Sequence, residues 1–325
     1  FAKPGGEVAL MTSNVWMSLS SYDEVRKWLL ADKSLQSLVH LSNSGFEGAM
    51  VFVCAFQFTN IHIKNNLASF VRLTEFSRAD EQGPKTLEAL ESADCEWLFR
   101  SRPDNFKIIP GSPVVYWLSE KMLSSFEKMP ALETLAEPKQ GATTSDNNRF
   151  LRQWYEVDQS KLLFGAHTRE EAVASERKWF PYNKGGAFRR WAGNFDFVIN
   201  YANDGREIKE FHEVLNLTSP GGRLKNQDCY FLENVSWSKI SSGDFSARYF
   251  SNGFIFDVAG SALFTSHAQR LLLLCAALNS RVAHLILKAL SPTLNYEAEH
   301  IRKIPIAVTE VHIEAATVEQ LARQA

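Results

Sequence analysis

Residues 7–14, EVALMTSN, form a short apolar run that ends in three small polar residues, Thr12, Ser13 and Asn14. A run of this length without alternation predicts a parallel strand buried on both faces, and its polar end predicts a functional loop at the carboxyl terminus of that strand. The next fifty residues decide the fold class. Ser20 or Ser21 can cap a helix reaching about Leu30, with Tyr22, Val25, Trp28 and Leu29 on one face. Residues 35–41 predict a strand, 42–48 a loop and 49–58 a second strand, which together make an antiparallel hairpin. Strand, helix and hairpin is the order in which a doubly wound α/β sheet finishes. Residues 1–75 are therefore expected to be the closing part of such a domain. Phe1 is not an initiator methionine, and the Lys3-Pro4-Gly5-Gly6 turn in front of the strand predicts a chain that begins inside a βα unit of a longer protein.

Working outward, residues 76–140 are expected to be a helical connector. They are more charged, are punctuated by Gly83-Pro84 and Arg102-Pro103, and suggest one helix near 86–99 and another over 114–129. Short aromatic-rich segments at 150–157, 195–201, 230–235 and 254–258 are then divided by Gly, Asn, Asp and Ser. These predict an irregular, mixed α+β domain over residues 141–310. Within it, Thr265 or Ser266 would cap one long helix to about Ala289, stopped before Pro292, and 311–325 reads as a weakly amphipathic tail.

Composition narrows the function classes. Lys and Arg total 35 against 37 Asp and Glu in 325 residues, a formal net charge of -2, so any basic surface must be local. Cys54, Cys95, Cys229 and Cys275 lie far apart without a C-x-x-C pair, which argues against a structural zinc or disulfide framework and for a reducing cytosol. The most apolar run, 271–278, is too short to span a bilayer, so no membrane association is expected.

Several motifs suggest chemistry without completing it. Gly83-Pro84-Lys85-Thr86 echoes the end of a phosphate-binding loop, but proline stands where that loop needs an N–H. No G-x-G-x-x-G, G-x-S-x-G or H-E-x-x-H occurs, and Glu297-x-x-His300 lacks further ligands, so no metal is expected. The strongest local signal is residues 177–191, RKWFPYNKGGAFRRW. Arg177, Lys178, Lys184, Arg189 and Arg190 alternate there with Trp179, Phe180, Tyr182, Phe188 and Trp191, and no acid interrupts them. Such cations neutralise phosphates while aromatic faces stack on bases, and Gly185-Gly186 would let the backbone approach a ligand. A strand pair with aromatics in its core and solvated cations reads equally well. The polar cluster 143–150, TTSDNNRF, suits either base contacts or turn chemistry. Phe46, flanked by glycines, either folds back into a core or awaits a stacking partner.

Taken together, these pieces resemble the back half of an N6-adenine DNA methyltransferase, and more closely the adenine-specific methyltransferases of BREX phage-defence systems, the PglX family. The resemblance rests on FAKPGG at 1–6, VALMTSNVWM at 8–17, SGFEGAMVFVCAFQF at 44–58 and DNNRFLRQWYEV at 146–157. It extends through KWFPYNKGGAFRRWAGN at 178–194 and LNSRVAHLILKALSPTLNY at 278–296. It implies a Rossmann-like methyltransferase sheet, of which this chain holds the end, followed by a target-recognition domain. It also implies methyl transfer from S-adenosylmethionine to a flipped adenine. The glycine-rich cofactor turn and the N-P-P-Y-type catalytic motif would lie upstream of Phe1, so no catalytic residue is assigned. By the same resemblance Phe46 would stack on the flipped base, and Thr12, Ser13 and Asn14 would line the active-site rim. Arg149, Arg152, Lys178, Tyr182, Lys184, Arg189, Arg190 and Trp191 would contact DNA. Double-stranded DNA is the implied partner, with other phage-defence subunits as further candidates. The alternatives are a DNA-binding specificity subunit without a catalytic fold, and a protein-interaction module whose aromatics are core.

Overall fold

The computed structural model describes residues 2–43, 45, 50–92, 94–216, 224–241, 244–291 and 295–306. The chain divides into two units, Phe1–Met129 and Pro130–Ala325.

The first unit is built on a five-stranded sheet. Its strands are β1 (Glu7–Ser13), β2 (Ser34–His40), β3 (Val53–Thr59), β4 (Ala68–Arg72) and β5 (Leu98–Ser101), in the order β1-β3-β2-β4-β5. β3 is antiparallel to both neighbours, with Phe56 opposite Leu10 on one side and Leu38 on the other. β1 and β2 therefore run the same way with one reversed strand between them, while β4 is parallel to β2 and antiparallel to β5. The hairpin expected from residues 35–58 is present. The loop residues 46–49, Phe46 among them, lie outside the described residues.

Two expectations about this unit are corrected. β1 is neither parallel to its neighbour nor buried: it pairs only with β3 among the described residues, and Leu10 and Met11 are 46% and 59% exposed. An apolar strand reads as central in a sequence, but its burial depends on what stands beside it. In α1 (Asp23–Asp32) the buried face is Arg26, Leu29 and Leu30, while Tyr22, Val25 and Trp28 are exposed. Arg26 takes the core position because three carbonyls need a donor there. Its Nε donates to Gly111 O at 2.7 Å, and its Nη1 to Trp16 O and Leu19 O at 2.7 and 2.8 Å. Asp23 supplies the counter-charge.

Residues 76–129, expected as connector, pack into this unit. α2 (Ala79–Glu91) carries Gly83 and Pro84 within it, and Lys85 pairs with Glu88 at 2.7 Å and stands 4.3 Å over the Trp97 ring. The phosphate-loop echo is thus a helix surface. Phe99 falls in β5, and α3 (Glu120–Lys128) starts only after the buried residues Val114, Val115, Tyr116 and Leu118.

The second unit contains two four-stranded sheets. One is antiparallel: β6 (Glu137–Lys139), β10 (Asn234–Trp237), β11 (Ala247–Phe250) and β13 (Ala262–Phe264), ordered β11-β10-β13-β6. The other orders β12-β8-β9-β7, from β7 (Leu151–Gln153), β8 (Trp179–Asn183), β9 (Phe197–Asn200) and β12 (Ile255–Phe256), and only its β12–β8 pair is parallel. Short helices α4 (Asn147–Phe150) and α5 (Arg169–Ala174) and the longer α6 (Ala202–Val214) flank the strands. Phe150, Phe180, Tyr182, Tyr201, Tyr230, Phe231 and Phe256 fill one core, so most of the aromatic punctuation read from sequence is interior packing. Gly141 crosses β12 so closely that a Cβ there would stand 1.9 Å from Phe256 O.

The long helix expected from residue 265 is two, α7 (Ala268–Leu278) and α8 (Arg281–Leu290), bent by 70°, and neither Thr265 nor Ser266 is its cap. Asn279 makes the break by copying a strand. Its Oδ1 accepts from Ala247 N at 3.0 Å and its Nδ2 donates to Ala247 O at 2.9 Å, after which Ser280 caps α8. α9 (Ala298–Arg302) comes next. Among the described residues no single helix is long and apolar enough to cross a membrane.

Candidate nucleic-acid interface

The basic-aromatic segment is divided by β8, the strand at its centre. Five residues at about 3.3 Å each hold Arg177 and Lys178 at one end roughly 16 Å from the residues beyond Asn183, so the cations do not form one stripe. Within the strand, Tyr182 is fully buried and its hydroxyl donates to Asp257 Oδ2 at 2.6 Å. Lys184 Nζ reaches the same oxygen at 2.7 Å, and Ala259 N donates to Oδ1 at 2.6 Å. A buried carboxylate needs such partners, so Tyr182 serves the interior and is corrected as a DNA-contacting side chain. Burial, then the Asp257 charge, pushes its phenol well above the usual range. Gly185 is likewise turned inward: a Cβ there would meet Ala259 O at 2.5 Å, so this glycine admits backbone rather than ligand.

The other expected contacts fall into three settings. Arg149 is tied to Glu207 at 3.1 Å and lies 4.9 Å over the Phe211 ring. Arg152 is exposed and hydrogen-bonds Asn148 O and Leu151 O, and Lys178 is exposed beside Trp179. Arg189, Arg190 and Trp191 stand on an exposed loop, residues 186–191, where the Arg190 guanidinium lies 5.3 Å from the Phe188 ring. The cluster at 143–150 is turn chemistry: Thr144 donates to Asn147 Oδ1 at 2.7 Å and Asp146 caps α4. Sequence reading missed Trp154 and Tyr155, an edge-to-face pair on the surface, the latter 66% exposed, anchored by Trp154 N to Asp196 O at 3.0 Å. Two adjacent aromatics directly after the alternating strand Leu151–Gln153 were the available signal.

At the expected rim, Thr12 and Ser13 are exposed at the end of β1. Asn14 Nδ2 lies 2.8 Å from His40 Nε2, and His40 Nδ1 lies 3.0 Å from the Tyr116 hydroxyl. The carboxyl ends of β1 and β2 are thereby linked through side chains far apart in sequence. Burial, reinforced by Arg72, lowers the His40 pKa to about 4, so the ring is neutral at pH 7 and bridges as donor on one nitrogen and acceptor on the other.

Glu297 and His300 do not form a metal pair. Glu297 binds Lys239 at 2.9 Å, and His300 Nδ1 accepts from Glu297 N. Among the described residues no group of three His, Cys, Asp or Glu could hold a metal.

Asp204 sits with Asn203 and Gly205 in three consecutive left-handed conformations at the start of α6. Burial alone would raise its carboxyl, but hydrogen bonds from Arg169, Lys209 and Tyr201 outweigh that and hold it well below the usual carboxylate range. The stabilisation is complete above the unfolded carboxylate pKa near 3.8 and is lost as pH falls further. Asp204→Asn is expected to flatten the acid side of the stability profile below about pH 4. A denaturant midpoint that falls with acid as steeply as in the parent would count against this network.

No protein-family model matches the chain. It is 33% identical over 313 residues to the adenine-specific methyltransferase PglX of Lacticaseibacillus casei (strain Zhang), covering 94% of this chain and 25% of that protein. It is also 34% identical over 319 residues to the adenine-specific methyltransferase BrxX of Escherichia coli O9:H4 (strain HS), covering 96% and 24%. The chain is thus similar to a C-terminal part of these two adenine-specific methyltransferases. It spans about a quarter of the length of these curated relatives. Among solved structures, the type IIL restriction-modification enzyme MmeI in complex with DNA matches 99% of this chain and 42% of its own, with TM-score 0.54 and 11% identity. At that identity the likeness is one of fold.

Proposed function

We propose that this chain is part of an enzyme that transfers a methyl group from S-adenosylmethionine to adenine N6 in duplex DNA, in phage defence and protection of host DNA. Residues 1–75 would be the end of its Rossmann-like catalytic sheet and the second unit its target-recognition part. The observation that carries this reading is the identity to PglX and BrxX over nearly the whole chain. The strand order supports it independently. A reversed strand, β3, between two strands running the same way is how the hairpin of such a sheet would close onto it.

The polar groups at the carboxyl ends of β1 and β2, Asn14 and His40, are engaged with each other and with Tyr116. On this reading the cofactor is held by the part of the enzyme outside this chain, which would bring the methyl to a base taken out of the stack. Thr12 and Ser13 would face that base from the rim, and Phe46 would stack on it.

The test is methyl transfer to duplex DNA. The full-length enzyme should form N6-methyladenine with S-adenosylmethionine, and the 325-residue chain alone should not. Transfer by the chain alone would refute the assignment. In the full-length enzyme, Phe46→Ala should lower kcat/KM by about tenfold or more, the value of one base–aromatic stack of roughly 1–3 kcal/mol. Unaltered turnover would remove Phe46 from the base.

A further inference from the structure

Beneath the exposed loop at 186–191 lies a charge that the methyl-transfer reading does not use. Arg248, on β11, is fully buried, and none of the described acidic residues pairs with it. Its Nη2 donates to Ser238 Oγ at 3.1 Å, and its Nη1 to Ser246 Oγ at 3.4 Å and Arg189 O at 3.5 Å. Nε has no partner. These bonds are long for a cation, whose hydrogen bonds usually measure about 2.7–2.9 Å. Taking a guanidinium out of water costs several kcal/mol, so a neutral side chain would fill this place more cheaply.

The geometry shows what the charge does to the loop. Ser238 Oγ, which accepts from Arg248, donates in turn to Gly186 O at 2.8 Å. Arg248 therefore draws two loop carbonyls inward, that of Arg189 directly and that of Gly186 through Ser238. No cis peptide occurs here, and in a trans peptide the C=O and N–H point in opposite directions. The N–H of Ala187 consequently faces away from Ser238 and that of Arg190 away from Arg248, and neither has a partner among the described residues. The exposed side chains of Arg189 and Arg190 belong to the same loop. Trp191, at φ 73°, fixes its far end by donating to Ala247 O at 3.0 Å and accepting from Tyr249 N at 2.8 Å.

We propose that residues 186–191 form a preformed site for one phosphate group of a DNA backbone. The site is made by the amides of Ala187 and Arg190 with the Arg189 and Arg190 side chains, and buried Arg248 is the positioning residue that turns those amides outward. The proposal rests on the reading of this unit as a DNA-recognition part. Burial lowers the Arg248 pKa only to about 10, so the group is charged at neutral pH and its field adds to the attraction for an oxyanion.

The experiment tracks binding of the chain to a fluorescent DNA duplex across a salt series, with thermal melting as the check of folding. Arg189→Ala with Arg190→Ala should reduce the slope of log Kd against log salt, and Arg248→Met alone should reduce it by about one. Arg248→Lys, which keeps the charge, should restore part of that loss. In amide NMR spectra, inorganic phosphate and the duplex should each shift Ala187 and Arg190 in the parent and not in Arg248→Met. A folded Arg248→Met with the parental slope and shifts overturns the positioning role. Should that variant not fold, Ser238→Ala decides, because it cuts only the relay to Gly186 and should silence Ala187 while sparing Arg190. Both amides shifting as in the parent would overturn the proposal. An Arg189/Arg190 pair without effect on the slope would take the loop out of the DNA interface. An effect there, with Arg248→Met and Ser238→Ala both silent, would keep the interface and sink the role of Arg248. Amide shifts with phosphate but none with duplex would overturn the nucleic-acid assignment.

Discussion

Replacing Gly141 by alanine is expected to cost the second unit about 4 kcal/mol or more, enough to abolish its cooperative folding. The added Cβ would lie 1.9 Å from Phe256 O, 2.4 Å from its carbonyl carbon and 2.6 Å from its ring. Two of these are backbone atoms of β12 and cannot swing aside as a side chain does. The surrounding hydrogen bonds fix the approach from both sides, with Ala142 N to Phe256 O at 2.7 Å and Val258 N to Ala142 O at 2.9 Å. Relief would require β12 to move off β8, and β8 runs through the core. Circular dichroism melting of Gly141→Ala within about 5 °C of the parent, a shift worth only ~1–2 kcal/mol, would show that the crossing is looser than this.

The second large effect is expected at Asp257. Its carboxylate joins the Tyr182 hydroxyl, the Lys184 ammonium and the Ala259 amide at one buried point. Asp257→Ala strands a partly buried cation together with a buried hydroxyl, and breaking such a pair costs about 3–5 kcal/mol. Tyr182→Phe removes one neutral donor while Lys184 and Ala259 still satisfy the acid, so about 1–1.5 kcal/mol is expected there. Urea denaturation of both variants gives the ranking. If Tyr182→Phe proved the more damaging, the acid would not be the organising group.

The hairpin of β2 and β3 was legible because its determinants are local: two apolar runs and a polar loop between them. The strand, helix and hairpin order of the first 59 residues was legible for the same reason. β1 was misread because burial belongs to a strand's neighbours, which its own residues do not encode. The helix α1 misled through Arg26, a residue that sequence patterns assign to solvent and that three carbonyls hold inside. In the basic-aromatic segment, alternation was real, yet Asp257, 75 residues beyond Tyr182, decides that Tyr182 and Lys184 face inward. No local pattern carries that information. His40 and Tyr116, 76 residues apart, escaped notice for the same reason, as did the break at Asn279, whose partner Ala247 is 32 residues away.

The one-sided pairing of β1 has a practical consequence at the bench. Along its outer edge β1 presents amides and carbonyls that have no strand partner among the described residues, beside exposed Leu10 and Met11, with Glu7 the strand's single charge against docking by another copy. An uncovered edge of that kind is a template for strand addition and aggregation. Purified by itself, the chain is best handled dilute and checked by light scattering before any affinity is taken from it. A lysine introduced at Ala9 or Met11 would make the edge less adhesive without touching the second unit's surface.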